Sequence, residues 1–276
     1  MSGVNRLFVE GELDSILLNS LPLSGWQITP LKDGGKRALP LRVKWEQADN
    51  GGFRILYLRD RDFDFEPSGY PGPCRMDDDL GFRWSRHELE NYMIDPLIVT
   101  RAVNLDVREY SKALTGAGNT IRHYQAARWA VGLVRSGLPR WYGLETHPND
   151  ADPSRFRLHA DLSQVQSRAW ALKLTTEFLK TVSDRLDANS VGEHYDRQDA
   201  FFAESAFMTT DNVLMWFSGK DLLAALGDWL MTKGHAGPGD FRSKIRDWMI
   251  RNPSELLHIL PEWRQLVTIL QEASQA

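Results

Sequence analysis

Apolar and polar positions alternate in short blocks over the first sixty residues. The runs at 6–10, 25–31 and 53–58 are rich in strand-forming residues, and turn residues bound them. Between the runs, helical spacing begins at Asp14 and again over 36–48, where Pro40 interrupts it. Strand, helix, strand, helix, strand is the order of a parallel βαβ sheet, so we expect an α/β fold here.

Acidic residues follow two of these predicted strands. Glu10 ends the first strand, and Asp60 and Asp62 follow the third. Because the carboxyl ends of neighbouring parallel strands lie at one edge of a sheet, we expect the two groups of acids to converge there. If the chain stays extended, alternation also places Asp60 and Asp62 on the same face.

A loop follows the third predicted strand, and from about residue 100 the pattern becomes mostly helical. Residues 65–80 are rich in Pro, Gly and acid and predict a loop. The segment that follows predicts a strand and then a helix opened by Asp95 and Pro96. Further stretches have helical spacing: 121–136, 163–187, 218–232, 240–250 and 254–273. We therefore expect two domains, one over 1–100 that contains the sheet and a mostly helical one over 101–276.

Composition narrows the class of protein. The chain has 276 residues, 42% of them hydrophobic and 25% charged, which is typical of a globular protein. The net charge of −4 provides no overall basic field for nucleic acid, although a local patch or bound cations can supply one. The single Cys74 excludes an intrachain disulfide and a multi-cysteine zinc site. With no long apolar run and no signal sequence, we expect a cytoplasmic protein without a membrane span.

Clustered carboxylates need a positive charge beside them, since they repel each other and lose hydration. Mg²⁺, or Mn²⁺, prefers oxygen ligands of this kind. Glu10 with Asp60 and Asp62 would make a first site, and Asp14 could carry a second ion. Two ions about 4 Å apart can stabilise both the attacking and the leaving oxygen in the hydrolysis of a phosphodiester.

The motifs resemble a known family. FVEGELD followed by LYLRDRD resembles the Toprim signature of OLD-type nucleases, and Gly34-Gly35-Lys36 resembles that group's glycine-lysine segment. RWSRHELENYMID is similar to the Glu-Asn-Tyr segment of stand-alone Toprim nucleases of the AriB type, from PARIS anti-phage systems. The resemblance covers residues 6–95 well and the remainder in outline.

The resemblance implies a Toprim-like parallel sheet flanked by helices as the catalytic domain over 1–100, followed by a mostly helical C-terminal region for substrate and partner binding over 101–276. It also implies residue roles: Glu10 is closest to the chemistry, Asp60 and Asp62 are metal ligands, Asp14 matches the second acid of the first motif, and Lys36 stabilises charge at the scissile phosphate. Glu90 matches the acid of the Glu-Asn-Tyr segment and would hold the second ion.

In function, the resemblance implies a Mg²⁺-dependent endonuclease that acts as a toxic effector of antiviral defence. Transfer RNA is the implied substrate, and an AriA-like partner ATPase of the ABC/OLD type would hold the nuclease inactive. No phosphate-binding loop is present in the sequence, because Gly35-Lys36 and Gly219-Lys220 both lack the first glycine and the following Ser or Thr. An active homodimer would place two sites on two strands.

Alternatives stay open at this point. Asp14 is equally well explained as a helix N-terminal acid, and Lys36 as a surface lysine. A DNA substrate fits the same motifs. A non-catalytic interaction subunit could use the acids as a structural cation site. We also considered a primase, a topoisomerase and a phosphoacceptor domain, but the sequence lacks the further modules or residues that each of these would need.

Overall fold

A computed structural model describes residues 4–31, 35–49, 52–69, 72–136, 148, 150–152, 155–182 and 188–275. Within these residues, five strands form one sheet in the order β2-β1-β3-β5-β4. All neighbouring strands are parallel except the antiparallel pair β4 and β5. The strands are β1 Asn5–Val9, β2 Trp26–Pro30, β3 Ile55–Arg59, β4 Cys74–Arg75 and β5 Gly81–Arg83. The predicted α/β class with a parallel sheet is therefore confirmed.

Helices follow the strands and make up most of the chain after β5. Their bounds are α1 Glu12–Asn19, α2 Gly35–Asp49, α3 Leu89–Met93, α4 Pro96–Val103, α5 Val107–Ser136, α6 Gln164–Val182, α7 Ala188–Ala203, α8 Thr210–Trp216, α9 Gly219–Ala225, α10 Gly227–Thr232, α11 Pro238–Arg251, α12 Pro253–Ile259 and α13 Pro261–Ala273. The mostly helical C-terminal region is thus confirmed as well. No helix of the described ranges has both the length and the apolarity that crossing a membrane requires.

Both faces of the sheet are covered, as parallel sheets require. Successive residues of a strand point to opposite faces, so Leu7 and Val9 enter one core while Phe8 enters another. The smaller core lies between the sheet and α2, where Leu39 and Val43 are buried beside Phe8. This packing holds α2, which contains Pro40, against the sheet.

The larger core runs without a break from the sheet into the last helices. Trp84, just after β5, stacks on Trp263 of α13 with ring centroids 5.2 Å apart. Beside this pair, Glu262 accepts hydrogen bonds from the Ser85 amide at 2.7 Å, from the Ser85 hydroxyl and from the Tyr92 hydroxyl. The helical region therefore packs directly against the end of β5, the strand that pairs with β3.

Some predicted boundaries are wrong. The predicted helix 218–232 is two helices, α9 and α10, that meet at Leu226. The predicted helix 254–273 breaks before Pro261, whose missing N–H and fixed φ suit the start of a helix better than its interior. The predicted loop 65–80 contains the short strand β4. Helices α7 and α8 were not predicted, and the described part of predicted helix 163–187 ends at Val182.

Candidate metal centre at the sheet edge

The ends of β1 and β3 are joined through a carboxylate. Glu10 follows the last residue of β1, and its Oε1 accepts a hydrogen bond of 3.0 Å from the backbone N–H of Asp60. Asp60 in turn follows the last residue of β3, which pairs with β1 in parallel register. The acids of two separate segments therefore meet at the carboxyl edge of the sheet, where α/β folds usually bind their ligands.

Asp60 and Asp62 approach each other by a different route from the predicted one. The extended chain ends at Arg59, and Asp62 has a left-handed backbone with φ of 49°, which Asp tolerates better than most residues. The Asp62 N–H donates to the carbonyl of His87 at 2.8 Å. The prediction that strand alternation aligns the two carboxylates is thus wrong, because a turn aligns them.

Arg61 lies between the two aspartates and is only 1% exposed. Its guanidinium donates to three carbonyls: Ser85 at 3.0 Å, Phe65 at 2.5 Å and Met215. Burial lowers the pKa of Arg61 to about 9. Because Arg61 is directed into the protein and held at three points, it fixes the turn that carries the aspartates on either side of it.

The strand-end acids border a cavity of about 260 Å³, here called the acidic cavity. It is lined by Glu10, Gly11, Glu12, Leu13, Asp14, Asp60, Leu89, Glu90, Lys220 and Arg242. Four of the five residues predicted as metal ligands border it together. The fifth, Asp62, has a carboxylate oxygen within 4.8 Å of ligand atoms of Asp60 and Glu88.

The electrostatics of the acidic cavity leave negative charge poorly compensated. Burial raises the pKa of the Asp60 carboxyl well above its usual value, and the charges of Asp14, Glu10 and Asp62 raise it further. Burial followed by repulsion from Glu90 raises the pKa of Asp14 to about 7. Such shifts are expected where carboxylates are gathered for a cation.

One oxygen at the centre of this group lacks a partner. Asp60 is 9% exposed, and its Oδ1 has no hydrogen-bond partner among the described residues. A buried carboxylate oxygen without a donor is costly unless something binds it. The neighbouring side chains that could bind a cation are carboxylates, and carboxylate oxygens are ligands that suit Mg²⁺ or Mn²⁺. The residues present therefore fit a divalent cation, which Asp60 and Asp62 would hold beside Glu88, with Glu10 at the adjoining strand end.

Lys220 and Arg242 contribute positive charge that the sequence analysis did not assign. Lys220 Nζ lies 2.7 Å from Glu88 Oε2 and 3.4 Å from Glu90 Oε2, and Arg242 Nη1 lies 2.9 Å from Glu90 Oε1. Burial alone would lower the pKa of Lys220, but the carboxylates of Glu88, Glu90 and Asp60 raise it well above its usual value. Both cations come from the helical region, on α9 and α11.

Glu88 connects this cluster to the fold. It is the N-cap of α3 and forms a capping box with Asn91. Its Oε1 also accepts hydrogen bonds of 2.8 Å from the Ser218 hydroxyl and from the Lys220 backbone N–H. Although burial raises the pKa of Glu88, Lys220 outweighs that effect and the net pKa is lowered to about 2.

The other acids and the predicted lysine have separate positions. Asp64 pairs with Arg59 and with Arg135, at 2.7 Å each, so it belongs to a structural ion pair behind the turn. Glu12 is exposed at the rim. The side chain of Lys36 lies outside the described residues, so its role stays a prediction.

Comparisons with known proteins add no assignment: no protein-family model matches the chain, and no curated protein matches it in sequence.

Proposed function

We propose that this protein is a Mg²⁺-dependent endonuclease, with Mn²⁺ as a possible substitute, that hydrolyses phosphodiester bonds at the acidic cavity. The observation that carries the proposal is the unpartnered Asp60 Oδ1 beside clustered carboxylates: ligand atoms of Asp60, Asp62 and Glu88 lie within 4.8 Å of one another, and Glu10 accepts from the Asp60 backbone N–H. The cavity is open to solvent and small, which suits a phosphate and an ion better than a large organic molecule.

The acidic residues and the basic residues of the acidic cavity have different proposed roles. Glu10, Asp60 and Asp62 would hold the ion, which when bound polarises a phosphoryl oxygen and lowers the pKa of a water molecule. The Lys220 ammonium would contact the scissile phosphate and stabilise the charge that develops there. Arg242 holds Glu90 and so keeps that carboxylate directed towards Lys220. In this proposal Lys220 performs the role that the resemblance assigned to Lys36.

The biological setting of the proposal comes from the resemblance to stand-alone Toprim nucleases. On that basis transfer RNA is the proposed substrate, and the protein is a toxic effector of anti-phage defence. A partner ATPase of the AriA-like type would hold it inactive until infection, and the active form would be a homodimer. A Toprim nuclease acting on DNA is the closest variant of this proposal.

Cleavage assays with purified protein test the function. Wild-type protein, alone and with its partner, is incubated with transfer RNA, single-stranded DNA and duplex DNA in Mg²⁺, Mn²⁺ or EDTA. We expect metal-dependent cleavage that Glu10→Ala and Asp60→Asn reduce by at least a hundredfold. Asp79→Asn, in an exposed turn, should cleave like the wild type and serves as the control. Absence of cleavage in every metal and partner condition would refute the proposal.

A second candidate is a non-catalytic interaction subunit with a structural cation site. It is favoured by the extent to which Glu88 and Glu90 are already paired with Lys220 and Arg242 inside the protein. Calorimetric titration separates the two candidates. Mg²⁺ binding without cleavage, together with a fall in partner binding for Asp60→Asn, would support the interaction subunit.

A further inference from the structure

Two protein cations occupy one side of the acidic cavity. Both oxygens of Glu90 face them: Oε1 lies 2.9 Å from Arg242 Nη1, and Oε2 lies 3.4 Å from Lys220 Nζ. Lys220 Nζ also lies 2.7 Å from Glu88 Oε2. The carboxylates on this side of the cavity are therefore neutralised by the chain itself.

Lys220 is held in place through its backbone as well as its ammonium. Its N–H donates to Glu88 Oε1 at 2.8 Å, and the preceding N–H of Gly219 donates to Asn91 Oδ1 at 3.2 Å. A Cβ at Gly219 would lie 2.7 Å from the Asn91 backbone nitrogen, so only glycine permits this approach. Asn91 Nδ2 fixes the chain on the other side by donating to the carbonyls of Leu214 and Phe217 at 2.9 and 2.8 Å. A lysine anchored in this way keeps its charge at the cavity.

The carboxylates next to Asp60 are less fully compensated by protein cations. Asp60 Oδ1 has no hydrogen-bond partner among the described residues, and Asp60 is 9% exposed. Ligand atoms of Asp60, Asp62 and Glu88 lie within 4.8 Å of one another. Because Glu88 Oε1 already accepts from Ser218 and Lys220, the strongest demand for an added cation is at Asp60.

We infer that the acidic cavity binds one divalent cation, at Asp60, and that the Lys220 ammonium occupies the place that a second cation would take. This inference rests on the proposed function and specifies its metal requirement. A second ion beside the first would have to approach Glu90, within a cavity of about 260 Å³, against the charges of Lys220 and Arg242. The assignment differs from the one that the resemblance implies for Glu90.

Counting bound Mn²⁺ in the absence of nucleic acid tests the inference. Mn²⁺ is titrated into the full-length chain by calorimetry, and free Mn²⁺ is followed by its electron paramagnetic resonance signal. We expect one Mn²⁺ per wild-type chain and none at the same concentrations for Asp60→Asn. The double variant Lys220→Met/Arg242→Met should bind a second Mn²⁺, since Glu90 is then free to act as a ligand. Lys244→Met, which removes an exposed lysine of α11, is the control and should bind one.

A separate variant covers the case in which the double variant does not fold. Glu90→Gln should bind one Mn²⁺ with an affinity within about threefold of the wild type, because Glu90 is not a ligand in the inference. Two ions on the wild type, a tenfold loss for Glu90→Gln, or one ion on a folded double variant would each overturn it. The cleavage assay tests the proposed function separately. A wild-type chain that binds two Mn²⁺ and cleaves nucleic acid would refute only the inference. A chain that binds one Mn²⁺ and does not cleave would refute only the proposed function.

Discussion

Two glycines on the same helix test whether α5 supports the turn that carries Asp62. A Cβ at Gly132 would lie 2.2 Å from Phe63 Cβ and 2.6 Å from the Phe63 carbonyl oxygen. A Cβ at Gly116, also on α5, would meet nothing within 4 Å. Phe63 follows Asp62 and is 1% exposed, so a shift at Phe63 moves the site directly. Gly132→Ala and Gly116→Ala therefore differ in their surroundings and hardly at all in their chemistry.

The two substitutions should change the free energy of unfolding in opposite directions. Alanine in a helix interior is favoured over glycine by about 1 kcal/mol, so Gly116→Ala should raise the free energy of unfolding by roughly 0.5–1 kcal/mol. Gly132→Ala has the same gain, but overpacking in a filled core costs about 1–3 kcal/mol. The atoms that the new Cβ would overlap include the backbone of Phe63, which cannot move by a change of rotamer. We therefore place the cost at the upper end of the range of about 1–3 kcal/mol. We expect a net loss of about 2 kcal/mol for Gly132→Ala.

Urea denaturation in EDTA, followed by circular dichroism, measures both free energies, and Mn²⁺ titration measures the consequence at the site. We expect Gly132→Ala to bind Mn²⁺ at least tenfold more weakly than the wild type, with Gly116→Ala unchanged. If Gly132→Ala were as stable as Gly116→Ala and bound Mn²⁺ normally, the contact between α5 and the turn would not position the aspartates.

Three further predictions concern charge and hydrogen bonding at the site. Since the folded-state pKa of Asp14 is raised from 3.8 to about 7, Asp14 contributes a loss of stability as pH rises from about 4 to about 7. Asp14→Asn should therefore stabilise the metal-free protein at pH 8 and have little effect at pH 3.5. The gain should be about 2 kcal/mol after screening of a partly exposed group, and equal gains in urea denaturation at both pH values would contradict it. Arg61→Met leaves three carbonyls without their donor, so thermal and urea unfolding should show a loss of roughly 3 kcal/mol, and a loss under 1 kcal/mol would contradict the anchoring role. Mg²⁺ at a hundred times its dissociation constant should stabilise the wild type by about 2.7 kcal/mol in urea denaturation. Asp60→Asn should show no such gain, and a gain equal to that of the wild type would place the ion elsewhere.

The strands and the edge at which the acids meet were predictable from sequence. Runs such as 6–10 and 53–58 are short, apolar and bounded by turns, and their order with the intervening helices leaves a parallel sheet as the simplest arrangement. The meeting of Glu10 with Asp60 then follows from the geometry of parallel strands, which place their carboxyl ends together. Local pattern and one topological rule were sufficient for this part of the fold.

The positive half of the site was not predictable in the same way. Glu88 and Lys220 are 132 residues apart in sequence and lie on separate helical segments, and no periodicity connects them. The signal nearest to Lys220 was Ser218, a good N-cap residue followed by Gly-Lys, which predicts the start of a helix and says nothing about the Glu88 carboxylate. The residues around Glu88 suit a helix start as well as a strand, and tertiary packing decides for the N-cap of α3.

Charge balance explains why the two regions of this chain form one site. The strand ends and α3 bring several carboxylates together, and Arg59 on the sheet side interacts with Glu10 and Asp62 as well as with its partner Asp64. The helical region supplies the positive charge beside Glu88 and Glu90 through Lys220 and Arg242. Removing one partner of a buried ion pair leaves an uncompensated charge, so the acidic cavity depends on α9 and α11 as much as on the strands. The helical region is therefore part of the active centre that we propose, and the sheet alone would expose a cluster of acids whose repulsion opposes the geometry that an ion needs.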